Sequence, residues 1–283
     1  MDGIIVINKP SGYTSHDIVS KIRKKLNIKK VGHTGTLDPL ATGVLPILLG
    51  TGTKLSQYLI NHDKEYIATI KLGVKTDTGD IEGQVIEEKQ VPEISVEGLG
   101  QVLQSFLGPQ KQIPPMYSAI KVNGKKLYEY ARQGEKIEIE PRSIEIYNIE
   151  VLGFGKEQIT IKVACSKGTY IRTLCEDIAE KLETVGTMSA LQRTKVGEFE
   201  LGDAITIEEL ENEQIVENSL ITPEQLFINN PEIKLSSEEL VKFLNGMTLK
   251  KENKNGLYRV YVEGKFIGVG DISNNRLKRE YII

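Results

Sequence analysis

The groups best placed to do chemistry in this 283-residue chain fall in one stretch, residues 32–46, which reads Gly-His-Thr-Gly-Thr-Leu-Asp-Pro-Leu-Ala-Thr-Gly-Val-Leu-Pro. Only Asp38 within it is ionised at neutral pH, so the chemistry on offer is that of a single carboxylate. Gly32, Gly35 and Gly43 permit backbone angles or close approaches that a side chain forbids, and Pro39 biases Asp38 away from helical geometry. A carboxylate held out on a shaped loop is therefore expected in place of a plain Asp-Pro surface turn, because the apolar run Val44 to Leu49 carries this loop toward the core. The phosphate-loop pattern of a glycine, four residues and then Gly-Lys-Ser/Thr does not occur, and Gly50-Thr51-Gly52-Thr53-Lys54 lacks its spacing. His16, His33 and His62 stand far apart and nine residues separate Cys165 from Cys175, which is not metal-ligand spacing.

Residues 33–43 resemble the signature of the TruB family of tRNA pseudouridine synthases. The resemblance continues through Lys9-Pro10-Ser11-Gly12-Tyr13-Thr14-Ser15, Lys64-Glu65-Tyr66, Tyr117-Ser118-Ala119-Ile120-Lys121, Ser166-Lys167-Gly168-Thr169-Tyr170-Ile171-Arg172 and Leu191-Gln192-Arg193-Thr194, which is most of the first two hundred residues. It implies an isomerase acting on a uridine in the TΨC arm of tRNA: the N1 glycosidic bond breaks, the base turns, and C5 rejoins the ribose. Such a reaction needs no cofactor or energy donor, and the target nucleotide must be flipped out of its stack at a cost of a few kcal/mol.

By the same resemblance Asp38 is the catalytic carboxylate, and Arg172 holds it through a charge-assisted pair. Tyr66 lies against the flipped base, its hydroxyl a candidate for handling the C5 proton. Tyr170 packs beside the site, Leu191 forms an apolar wall, and His33 replaces the extruded base in the RNA stack. Lys9 supports the catalytic loop within reach of RNA. Lys121, Lys125 and Lys126, with Lys24 and Lys25, are candidate phosphate contacts of low base selectivity.

The elements that must position these groups are legible in part. Ile4-Ile5-Val6-Ile7 predicts a buried strand, closed by Pro10-Ser11-Gly12 and followed by a helix with a capping box of Thr14 and Asp17 and an apolar stripe of Ile18, Val19, Ile22 and Leu26. A second helix is expected over 53–60, a strand buried on both faces over 65–74, a turn at 77–80 with 84–88 pairing back, and a helix from Val96 that ends at Gly108-Pro109. A basic, tyrosine-rich excursion is expected over about 109–142, with an Asn123-Gly124 turn and a helix over 125–133. Strands over 144–152 and 158–165, a helix starting at Thr169 or Thr173, and a strand over 193–199 complete the first domain, drawn at 1–229. Residues 230–283, after Asn229-Asn230-Pro231, resemble a small PUA-like RNA-binding β-barrel. The implied class is α+β: a pseudouridine synthase fold with a mixed, mostly antiparallel central sheet flanked by helices and loops, plus that barrel.

The net charge of −3 is unevenly spread. Residues 9–34 carry +6 and residues 111–142 carry +3, against −11 over residues 198–239, so one side can bind phosphates while another repels them. With 39% apolar residues, no run of about 18 apolar residues and two cysteines without a disulfide framework, a soluble monomer in a reducing cytoplasm is expected, with tRNA its partner and no obligate protein partner. The competing readings are a tRNA-folding chaperone with dispensable chemistry and the catalytic subunit of a guide-RNA particle. Asp38, Tyr66 and Arg172 together favour chemistry, and the short C-terminal module without lysine-rich tails favours a stand-alone enzyme.

Overall fold

A computed structural model describes residues 1–135 and 137–283; Lys136, counted above in the basic excursion, lies outside them. The apolar run at the start forms β1 (Gly3–Lys9), and α1 (Ser15–Lys25) follows. Its capping box is present: the Thr14 hydroxyl accepts from the Asp17 N–H at 3.1 Å and the Asp17 carboxylate accepts from the Thr14 N–H at 2.9 Å. Next come β2 (Val31–His33), the Asp38 loop and β3 (Thr42–Leu49). Where one helix was expected over 53–60, a 3-10 turn over Gly50–Leu55 precedes a single α turn, α2 (Ser56–Leu59).

The chain continues through β4 (Lys64–Leu72), the pair β5 (Val74–Thr76) and β6 (Val85–Glu88), α3 (Val96–Gln104) and β7 (Gly108–Gln112). β8 (Lys121–Val122) and β9 (Lys125–Lys126) flank Asn123 and Gly124, both at positive φ as a two-residue hairpin turn requires, and α4 (Leu127–Arg132) follows. β10 (Arg142–Phe154) and β11 (Gln158–Cys165) form a hairpin leading to α5 (Ile171–Lys181), β12 (Gly186–Val196) and β13 (Phe199–Glu200). Short helices α6 (Glu213–Asn218) and α7 (Pro223–Leu226) precede the C-terminal unit: β14 (Glu232–Lys234), α8 (Ser237–Leu244), β15 (Leu249–Lys250), β16 (Gly256–Val262), β17 (Lys265–Ser273) and β18 (Arg276–Ile282).

The central sheet runs β1-β3-β12-β4-β11-β10-β7, with β2 on β3 and β13 on β12. Among the described residues the ladder between β3 and β12 is parallel and the other strand ladders of this sheet are antiparallel, so the sheet is mixed and mostly antiparallel. Ile4 to Ile7 of β1 and Val44 to Leu49 of β3 are apolar because both faces are covered. Ile5, Ile7, Leu45 and Ile47 join the main core with α1 and α5, while Ile4, Val6, Val44 and Leu48 pack with Leu59, Phe227, Val269 and Tyr281. The parallel contact depends on Gly43, at φ +101°: a Cβ there would sit 2.2 Å from the Arg193 carbonyl oxygen.

Several expectations are corrected. β4 buries Tyr66, Ala68, Ile70 and Leu72, but its other face is only half-buried. Residues 108–112, Pro109 included, are the edge strand β7 paired with β10, and Arg142 opens β10. The excursion is therefore narrower than 109–142, and Pro109 is tolerated because β7 has one free edge. α5 starts after Tyr170, with neither Thr169 nor Thr173 as cap. β12 begins at Gly186, well before the expected Arg193. The C-terminal sheet, ordered β14-β16-β17-β18-β15, has its own core around Phe243, Val260 and Leu277. Its end strands β14 and β15 share no ladder among the described residues, so hydrogen bonding does not close the expected barrel.

Candidate active site

The site is built where the β2–β3 loop meets the middle of the sheet. β12 carries a bulge between Met188 and Ala190, and the extra residue resets its alternation so that Leu191 stands opposite Ala68 and Arg193 opposite Tyr66. Leu191, Arg193 and Tyr66 line one cleft of about 530 Å³, whose wall also holds Asp38, Tyr170 and Arg172.

Arg172 is the hub of that wall. Its side chain is only 7% exposed, and its Nε lies 3.1 Å from Asp38 Oδ2 while Nη2 lies 3.4 Å from Oδ1. The same guanidinium donates from Nη1 to the Thr78 carbonyl at 3.0 Å and from Nη2 to the Tyr117 carbonyl at 2.8 Å, with Asp80 Oδ2 at 3.7 Å. One side chain thus joins the Asp38 loop, the 77–80 turn and the excursion. Asp38 keeps a face to the cleft, its side chain 35% exposed. Burial pushes its carboxyl above the ordinary value, Arg172 and Lys9 pull it down, and Asp80 pushes it further up.

Beneath the loop, the ammonium of fully buried Lys9 donates to the carbonyls of Ala41 at 2.6 Å, Pro10 at 2.9 Å and Pro39 at 3.2 Å. All three donors of its ammonium are used to brace the loop, and none is left for the RNA contact that the sequence reading also allowed at Lys9. Burial lowers it to about 8, against the pull of Asp38, which still leaves it an ammonium at neutral pH. Tyr66 is buried, and that burial raises its phenol above the ordinary value while the neighbouring Arg193 opposes the rise. Tyr170 lines the cleft, its backbone clamped by the Gln112 amide, which accepts from Tyr170 N–H at 2.8 Å and donates to its carbonyl at 3.0 Å. His33 sits half-buried at the start of the loop and is not part of the cleft wall; burial, then His16 and Arg193, hold it below its usual value.

The excursion lysines differ among themselves. Lys121 is exposed, whereas the Lys125 ammonium lies over the Tyr130 ring at 4.2 Å, 3.8 Å from Glu135 and bonded to Gln133, and Lys126 lies over Tyr128 at 5.2 Å. Of the loop glycines, Gly35 at φ +72° and Gly43 are demanded by the backbone, but Gly32 is not: a Cβ there would meet only a Thr53 methyl at 3.9 Å.

Sequence reasoning missed Asp80, Gln112 and Arg193. Arg193 is 1% exposed, and it donates from Nε to the Val44 carbonyl and from Nη2 to the Gly35 carbonyl, each at 2.8 Å. It ties both ends of the Asp38 loop to β12, and its place in Leu191-Gln192-Arg193-Thr194 was the available signal. Arg193→Met leaves two carbonyls without this partner and is expected to destabilise the fold by about 2–4 kcal/mol. Urea denaturation checks this, and an unchanged midpoint would remove the tie from the account of the loop.

Three family models cover the chain in sequence: "TruB family pseudouridylate synthase (N terminal domain)" over residues 23–171, "tRNA pseudouridylate synthase B C-terminal domain" over 172–228, and "Pseudouridine synthase II TruB, C-terminal" over 231–279. Curated proteins named tRNA pseudouridine synthase B are similar over nearly full length. That of Alkaliphilus oremlandii is 46% identical, spanning 100% of this chain and 97% of the relative. That of Clostridium kluyveri is 46% identical over 95% of each, and that of Francisella philomiragia 44% identical over 98% and 93%. Among solved structures, a Cbf5-Nop10-Gar1 complex chain aligns with a TM-score of 0.69 at 26% identity, covering 95% of this chain and 78% of that one. A chain from an H/ACA RNP bound to a substrate RNA containing 2'-deoxyuridine shares the fold, with a TM-score of 0.70 at 23% identity over 99% and 84%.

Proposed function

This chain belongs to the TruB family of pseudouridylate synthases, and from that premise we propose that it isomerises a uridine in the T loop of tRNA, alone and without a cofactor. The observation that carries the reading is the Asp38–Arg172 pair, 3.1 Å apart, on the wall of a cleft that Tyr66 and Leu191 also line. A flipped uridine fits this arrangement with its base against Tyr66 and Leu191 and its ribose toward Asp38. The N1–C1′ bond breaks, the base turns, C5 bonds to C1′, and the C5 proton leaves as N1 gains one, so every atom is conserved. Tyr66 is the phenol placed to handle that proton. Arg172 directs the carboxylate, and Tyr170 closes the wall beside it. His33, at the head of the loop, is assigned to the gap left in the RNA stack.

The T arm is the part of this reading that rests on the residue 33–43 signature, and tRNA on the curated relatives' names. Two free, buried cysteines suit a reducing cytoplasm, and no helix among the described residues is long and apolar enough to cross a membrane. The reading has the chain act as a monomer.

Incubation with an unmodified tRNA transcript and no cofactor, followed by carbodiimide-dependent primer extension, tests it. A single stop at the T-loop uridine is expected. Tight tRNA binding without a stop would replace the enzyme with the chaperone or guided-particle reading. A further expected result concerns the excursion: Lys121→Gln with Lys126→Gln weakens tRNA binding and reduces the slope of log K against log salt by about 1–2. An unchanged slope would make the excursion structural.

A further inference from the structure

The reaction as described leaves two charges on the cleft wall unused, Lys64 and Lys167. They come from different elements, the first residue of β4 and the turn between β11 and α5, yet one short turn holds both. Lys64 Nζ donates to the carbonyls of His62 at 2.5 Å and Ile60 at 3.4 Å, and Lys167 Nζ donates to Asn61 Oδ1 at 2.6 Å. All these partners are neutral. Among the described residues neither ammonium has a carboxylate oxygen within 4.0 Å.

The neighbouring acids are engaged elsewhere. Glu65 takes Lys162 at 3.0 Å and the Thr194 hydroxyl at 2.7 Å, and Asp63 accepts from the Tyr147 hydroxyl at 3.1 Å. Burial, then the positive charges of Arg193 and Lys167, push Lys64 below its usual value, against the opposing pull of Cys165 and Asp63. Two ammonium groups held over one turn repel each other, and an anion between them reverses the sign of that interaction.

We propose that Lys64 and Lys167 form a phosphate subsite at the rim of the cleft, and that its ligand is a backbone phosphodiester flanking the uridine flipped into it. The inference rests on the RNA-isomerase reading. A base seated on Tyr66 and Leu191 leaves its charged phosphate at the wet margin, where Lys167 is exposed and Lys64 half-buried. Two of the three Lys64 donors are occupied, and the third remains for a phosphate oxygen. Lysine acts there as a point charge, indifferent to the base.

The test uses T-arm stem-loops carrying a neutral methylphosphonate at either phosphate flanking the target uridine. On unmodified RNA, Lys64→Met and Lys167→Gln should each raise KM roughly tenfold with kcat within about twofold, as loss of uniform binding does. Methylphosphonate at one of the two positions should raise the wild-type KM by a similar factor and have no further effect in Lys64→Met. Kd values measured in an Asp38→Asn background read the same coupling without turnover, so failure of the subsite and failure of the reaction are separate results. Equal methylphosphonate effects with and without the lysines, or variants that lower kcat with KM unchanged, would overturn the proposal.

Discussion

Asp38→Asn is expected to lower turnover by roughly 10⁴-fold or more while tRNA affinity stays within about threefold, as happens when a group used in bond making loses its charge but keeps its volume. The substitution keeps one oxygen to face Arg172 and leaves the loop's bracing by Lys9 and Arg193 untouched. Binding through lysines elsewhere on the surface has no reason to change. Single-turnover assays beside filter binding separate the two quantities, and retained turnover would remove Asp38 from the mechanism. The wild-type pH profile carries a linked expectation. Burial and Asp80 raise the Asp38 carboxyl above its ordinary value of 3.8, so the ionised form is lost at a pH where a free aspartate still carries its charge. The acid limb of kcat/KM should therefore lie on the alkaline side of 3.8. Because the folded state then binds this proton more tightly than the unfolded chain, Asp38's contribution to stability falls as pH rises through that window.

What the sequence disclosed about this site follows from how local each signal is. The Thr14–Asp17 capping box, the Asn123-Gly124 turn and the β10–β11 hairpin are decided by residues a few positions apart, and all three are in the structure. The first half of β12 is not of this kind. Its bulges between Met188 and Ala190 and between Arg193 and Lys195 break the period-2 pattern that identifies a strand, so Gly186 to Ala190 gives no alternation to read. The first of those bulges also aims Leu191 and Arg193 into the cleft. Arg193 shows the same limit from another side, since a fully buried arginine held by two backbone carbonyls looks in sequence like any surface cation. Gln112 was hidden because Pro109 argues against a strand, and only the free edge of β7 lets that strand form. The meeting of Asp38 with Arg172, 134 positions apart, came from the family resemblance; local pattern has no access to it.

Arg172 separates charge from geometry, and its two substitutions are expected to fail differently. Arg172→Met removes the strongest influence holding Asp38 down and leaves burial and Asp80, both of which push it up, against Lys9 alone. The acid limb should move further toward neutrality, and kcat should fall about 10²–10³-fold, as when an electrostatic partner of the reacting group is lost. Arg172→Lys restores a positive charge without the planar fork, so the acid limb should return most of the way to its wild-type position. The rate should not. A single ammonium cannot reach Asp38, the Thr78 carbonyl and the Tyr117 carbonyl together, as the guanidinium does at 3.1, 3.0 and 2.8 Å. KM for tRNA should accordingly rise in both variants, because the Tyr117 bond anchors the excursion to the site. If Lys recovers kcat along with the acid limb, Arg172 acts as a charge alone. If the limb stays in place in Met while kcat falls, the guanidinium works by directing Asp38 and not by favouring its ionised form.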